Sequence, residues 1–240
     1  MAGIFKFTFG PWNIHEGADP FGPMVRKSIE FSKKLEFYKK LGFDGVQFHD
    51  DNAVPDMNNL SPQQIISQAK EVKKLLKNSG LAAELVAPRL WEDKRTIDGG
   101  YTSNDPECRN YAIERSKRSI DIANALGTNL LVLWLAREGT YIRESKDSKV
   151  ATERIVEAIN TMLAYDPGIR VCIELKPNEP MKKGSLRSFL GLTFFRLPTH
   201  YNSPARAGSN SNAYLYPSLR SLKNDNLFPK KIWWHLKIQP

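Results

Sequence analysis

The stretch SPQQIISQAKEVKKLLKNSGLAAELVA, residues 61–87, holds a complete helix-to-strand transition with its punctuation. Ser61 is suited to a helix N-cap, Pro62 to the first helical position, and Gln64 stands where a capping box needs an amide. Ile65, Ile66, Ala69, Val72, Leu75 and Leu76 recur at helical spacing and form one face. Gly80 closes the helix. LAAELVA then reads as a short apolar strand.

The same unit repeats on both sides. Downstream, a helix opens near Asp105-Pro106, carries Ile113, Ser116, Ile120 and Ala123 on one face and stops at Gly127; NLLVLW (129–134) follows as a strand. A third helix runs from about Ser148 to Tyr165, ends at Asp166-Pro167-Gly168, and leads into the strand RVCIEL (170–175). Upstream, FKFTF (5–9) and GVQF (45–48) read as strands with a Lys-rich helix between them. Five apolar strands about 40 residues apart, alternating with helices, call for a parallel sheet. A doubly wound sheet and a barrel both fit this period. No GxGxxG follows a strand, which weakens the dinucleotide-binding version. The expected fold is therefore α/β, a TIM-type (β/α)8 barrel that is incomplete, with about five β/α units.

After Pro180 the pattern stops. SPARAGSNSNAYLYPSLRSLKNDN (203–226) is rich in Ser, Asn, Pro and Gly, while FLGLTFFRL and IWWHLKI are apolar but too short to place. Residues 1–180 are expected to form the partial barrel, and 181–240 an irregular, weakly ordered tail. Charge divides at the same point. The chain has a net charge of +9. Residues 1–180 hold 25 Lys and Arg against 25 Asp and Glu, whereas 181–240 hold 10 bases and one acid, Asp225. The tail interleaves bases with aromatics as a single-strand binder does. Out-of-frame translation yields similar composition, so a nucleic-acid partner is not expected.

With 41% hydrophobic and 25% charged residues the composition is that of a soluble globular protein. No apolar run is long enough for a signal peptide or a membrane span. Cys108 and Cys172 form no CxxC and no disulfide framework, which fits a reducing, cytoplasmic setting.

In α/β barrels chemistry sits at the C-terminal ends of the strands. Phe9 ends the first strand, with Trp12 just beyond, and Phe48-His49 the second, followed by Asp50, Asp51 and Asn52. The third leads to Trp91, the fourth ends at Trp134, and the fifth at Glu174 and Lys176. Singly, each Trp reads as core, His49 as a capping residue, Asp50-Asp51-Asn52 as a solvated turn, and Glu174 with Lys176 as a salt bridge. Together they suit a sugar site: aromatic faces for C–H surfaces, polar groups for hydroxyls, a histidine to move a proton, and a carboxylate to ligate a hard cation.

FTFGPW (7–12), DPFG (19–22), VQFHDDN (46–52), DGGYTSND (98–105), LVLWLAREG (131–139) and IELKPNEP (173–180) resemble, in order and spacing, the signature blocks of the xylose isomerase family. The resemblance covers 1–180. It implies a cytoplasmic homotetramer that interconverts D-xylose and D-xylulose by a metal-assisted hydride shift. Two divalent ions serve each site, Mg²⁺ or alternatively Mn²⁺ or Co²⁺. By the same resemblance His49 binds the sugar ring oxygen and assists ring opening, Trp12, Trp91 and Trp134 line the pocket, and Phe21 reaches into a neighbouring subunit's site. Glu174 ligates the structural metal, and Lys176 bonds the substrate's O1.

Two departures stand out. Asn52 occupies the place of an Asp that orients the histidine in the family. The family's later metal ligands, a Glu with a nearby His and several Asp, have no counterpart after residue 180. His200, Asp225 and His235 stand there in unmatched contexts. One carboxylate cannot hold two cations that each want about six oxygens. The alternative is a truncated, non-catalytic remnant of the family, its tail the product of a frameshift or a mispredicted gene end.

Overall fold

The computed structural model describes residues 6–14, 24–139 and 143–174, and the backbone of 232–234. Its strands are β1 (Thr8–Phe9), β2 (Gly45–His49), β3 (Ala82–Ala87), β4 (Leu130–Trp134), β5 (Arg170–Glu174) and β6 (Ile232–Trp234). The α-helices are α1 (Phe31–Lys40), α2 (Asp50–Ala53), α3 (Pro62–Asn78), α4 (Pro106–Leu126) and α5 (Ser148–Tyr165). The strands lie in the order β1-β2-β3-β4-β5-β6. β1–β2, β2–β3, β3–β4 and β5–β6 pair in parallel. The β4 and β5 ladders are bracketed by Arg170 N donating to Asn129 O (2.7 Å) and Leu135 N donating to Glu174 O (3.3 Å). This is a parallel α/β fold with five β/α units.

Local chemistry accounts for the boundaries. Ser61 Oγ accepts from Gln64 N (3.3 Å) and Gln64 Oε1 accepts from Ser61 N (2.8 Å), a closed capping box with Pro62 at the first helical position. Gly80 and Gly127 end α3 and α4 at φ 66° and 91°, a region that glycine enters without a Cβ clash. Ile65, Ala69 and Leu76 are buried as the helical spacing requires, but Leu75 is 44% exposed and does not belong to the core face. It sits at the edge of the stripe, where one residue of helical rotation turns a side chain outward.

Cα proximity divides the chain into two compact units. The first draws on 1–89, 113–133 and 162–170; Leu35, Tyr38, Val46, Phe48, Ile65 and Val86 are among its buried residues. The second draws on 90–112, 134–161 and 171–240, with Leu90, Cys108, Leu135, Ile155 and Ile173 among those buried. IWWHLKI, too short to place from sequence, supplies β6: Ile232, Trp233 and Trp234 stand opposite Val171, Cys172 and Ile173. The rest of 181–240 lies outside the described residues. No described helix is long and apolar enough to cross a membrane.

Candidate active site

Side chains alternate across a strand, so Gln47 and His49 share one face of β2 while Val46 and Phe48 share the other. The second face is core: Val46 and Phe48 are fully buried, and Phe48 meets Phe31 of α1 at a centroid distance of 5.9 Å. The first face is polar. Gln47 Nε2 donates to Thr8 Oγ1 (3.0 Å) and to Glu84 Oε2 (2.9 Å), and Thr8 Oγ1 also bonds Glu84. His49 continues this face at the C-terminal end of β2.

Trp12 lies on His49, ring centroids 4.0 Å apart and planes 12° from parallel. Gly10 and Pro11 explain how it gets there. Pro11 opens the 3-10 turn Pro11–Asn13, which folds the indole back over Gly10. A Cβ on Gly10 would stand 2.4 Å from the Trp12 ring. The glycine is needed for the space it leaves rather than for its backbone freedom, since its φ is −90°.

Behind His49 sits a charged cluster. Arg89 Nη2 is 2.7 Å from His49 Nδ1 and donates to Asn52 Oδ1 at 3.3 Å. Arg89 Nε is 3.0 Å from Asp51 Oδ1. Asp50, fully buried at the start of α2, accepts from Arg115 Nε (2.7 Å), Arg115 Nη2 (2.8 Å), Ser119 Oγ (3.1 Å), Arg89 N (3.1 Å) and Asp51 N (2.8 Å). A two-pronged Arg–carboxylate bond with further donors compensates a charge that burial alone would make very costly. Arg115 Nη2 also stands 3.5 Å from Asp51 Oδ2. Among the described residues, two arginines therefore face two aspartates. The solvated-turn reading of Asp50-Asp51-Asn52 is corrected here. These residues start a helix, and Asp50 is interior because Arg115 and Ser119 of α4 come to meet it.

In the second unit, Trp91 and Trp134 meet edge to face at 4.5 Å and 79°. Trp91 is 4% exposed, and Trp134 is half-buried. Arg137 Nε donates to Trp91 O (3.3 Å). Nearby, the Glu138 carboxylate accepts from the consecutive amides of Gly100 (2.9 Å), Tyr101 (3.3 Å) and Thr102 (2.8 Å) and from Thr102 Oγ1 (2.8 Å). Buried Lys146 bonds Asp98 O and stands 3.5 Å from Asp98 Oδ1. These contacts tie DGGYT to REG, so both blocks serve the loop's architecture. Burial pushes the Cys108 thiol up, which makes it an inert core group.

Glu174 ends β5, half-buried. Among the described residues no group of three or more His, Cys, Asp or Glu could hold a metal ion. The carboxylates near His49 are engaged by arginines. The described donor set therefore does not fit a pair of hard dications. Lys176 and Phe21 lie outside the described residues. Trp12 with His49 and Asn52, and Trp91 with Trp134, are the predicted residues brought together. Arg89, Arg115, Gln47 and Glu84 were missed. One signal was available: Arg115 stands directly beside Ser116, Ile120 and Ala123, the face of α4 read as packing inward.

The model of a family described as xylose isomerase-like TIM barrel matches residues 35–194. A xylose isomerase of Thermus thermophilus is 34% identical over 180 residues, 73% of this chain and 46% of that protein. The chain thus spans about half the length of that curated relative. D-psicose 3-epimerase, solved in the presence of D-fructose, aligns with a TM-score of 0.48 at 20% identity over 71% of this chain and 52% of its own. A xylose isomerase-like TIM barrel protein from Mycobacterium smegmatis, in complex with magnesium, aligns with a TM-score of 0.44 at 18% identity over 72% and 55%.

Proposed function

The chain belongs to the xylose isomerase-like TIM barrel family, and from that premise we propose that it carries the sugar-facing part of an aldose–ketose isomerase site, with D-xylose and D-xylulose as its substrate pair. The observation that carries this reading is the flat stack of Trp12 on His49 at the C-terminal ends of β1 and β2. An aromatic face for C–H groups beside a histidine for a ring oxygen is what an aldose needs. In this reading Trp134 and Trp91 are substrate-binding aromatics, Asn52 supports the histidine's surroundings, Lys176 bonds O1, and Phe21 reaches a neighbouring subunit of a homotetramer. The ion would be Mg²⁺, Mn²⁺ or Co²⁺, with Glu174 as one ligand, in a cytoplasmic enzyme. Residues 1–180 are its barrel segment, and 181–240 a basic tail from which Ile232–Trp234 pair with β5.

A second reading rests on the donor set. Glu174 alone cannot complete a two-ion site. In that case the chain binds the sugar without turning it over. Purified chain, supplied with Mg²⁺ or Mn²⁺ and D-xylose, separates the two. Xylulose production supports the isomerase, and saturable xylose binding without product supports the non-catalytic member. No xylose binding, or binding unchanged by Trp12→Ala, would overturn both. Two tightly held divalent ions per chain by elemental analysis would remove the second.

A further inference from the structure

The contact between Arg89 and His49 fixes more than a position. A guanidinium has only N–H donors and no acceptor, and it stays protonated in proteins. Its Nη2 lies 2.7 Å from Nδ1 of His49. The ring nitrogen in that contact must accept. Protonating Nδ1 would set an N–H against an N–H and a cation against a cation. Trp12 covers a ring face at 4.0 Å, holding the imidazole plane. Among the described residues, Arg89 and Arg115 face Asp50 and Asp51 beside it.

We infer that Arg89 is a positioning residue that holds His49 as the neutral tautomer bearing its proton on Nε2. The histidine then presents a hydrogen-bond donor at Nε2 and no lone pair. Such a group reads an ether-type or carbonyl oxygen, and it cannot take the proton of a substrate hydroxyl. This inverts what an Asp at position 52 would impose, since a carboxylate would accept from Nδ1–H and free Nε2 as an acceptor. Asn52 fits the inverted arrangement, because its Oδ1 accepts from the same Arg89 Nη2. The choice of a sugar ring oxygen as the atom read by Nε2–H rests on the proposed function; the tautomer does not.

Heteronuclear NMR of the full chain with ¹⁵N-labelled histidine tests this without substrate. The chain has four histidines, and the signal lost in His49→Gln assigns the one of interest. The expected result is a pyridine-type Nδ1 and a pyrrole-type Nε2, unchanged as pH falls from 8 through the usual histidine range near 6.5. Arg89→Met should release the ring, giving mixed tautomers that take up a proton in that range. Arg89→Lys, which keeps a donor-only cation, should retain the tautomer. An Nδ1–H tautomer, or an imidazolium at neutral pH in the native chain, would overturn the proposal even if the Arg89 variants do not fold. Absence of xylose turnover would leave this result untouched.

Discussion

At the scale of single residues, the site is held by groups whose removal has unequal effects. Gly10 has no side chain, yet a methyl there would stand 2.4 Å from the Trp12 indole. Gly10→Ala should push Trp12 off His49, forfeiting an aromatic pair worth about 0.5–1.5 kcal/mol. Near-UV circular dichroism reads the loss of the stack, and denaturant unfolding reads the destabilisation. Asp50 is a harsher case. Arg115→Met would strand a fully buried carboxylate, and breaking such a pair costs about 3–5 kcal/mol. The double variant Asp50→Asn with Arg115→Met should recover part of that loss in the same unfolding experiment. His49 and the tryptophans were legible in sequence because they end strands or follow strand ends within a few residues. Arg89 was not, since nothing in its local spelling shows that its guanidinium turns back toward β2.

At the scale of elements, punctuation was the most readable layer. Ser61, Pro62, Gln64 and Gly80 bound α3 as their chemistry dictates. Ser61→Ala removes the side-chain half of the capping box and should cost about 1 kcal/mol by thermal unfolding. The short helix α2 was not readable, because a four-residue turn is held by a partner 65 residues away. A second cap carries a pH signature. Asp93 accepts from Arg95 N (2.9 Å), Arg95 Nε (3.0 Å), Arg95 Nη2 (2.6 Å) and Tyr111 OH (2.9 Å). These bonds, those from the Arg95 side chain foremost, hold its carboxyl well below the usual carboxylate range. A carboxyl depressed in the folded state stabilises fully above its unfolded value of about 3.9 and loses that contribution as pH falls through the lower folded value. Arg95→Ala should therefore be less stable than the native chain at neutral pH. The gap should close on acidification below that value, as followed by thermal melts.

At the scale of the whole molecule, parallel pairing followed from the alternation of apolar strands with helices, a pattern carried by local spacing alone; the sequential strand order did not, since a doubly wound sheet and a barrel share that period. The partner of β5's outer edge was not legible. Three residues, Ile232–Trp234, have no periodicity to reveal a strand, and their pairing is a long-range event. A chain ending at residue 180 would leave that edge without β6, and exposed strand edges template association. Such a truncation should run larger on size-exclusion chromatography than the full chain at equal concentration. An unchanged monomeric profile would show that β6 does not protect the edge.

The same three-residue strand has a consequence in time. β5 is complete at Glu174, and β6 begins only after another 57 residues have been added. At ribosomal rates of about 5–20 residues per second, that interval lasts roughly 3–11 s. Through it, β5 leaves the ribosome with one flank bare, longer than an ordinary loop takes to close. The nascent chain meets cellular chaperones during those seconds with the adhesive edge of its fifth strand in view.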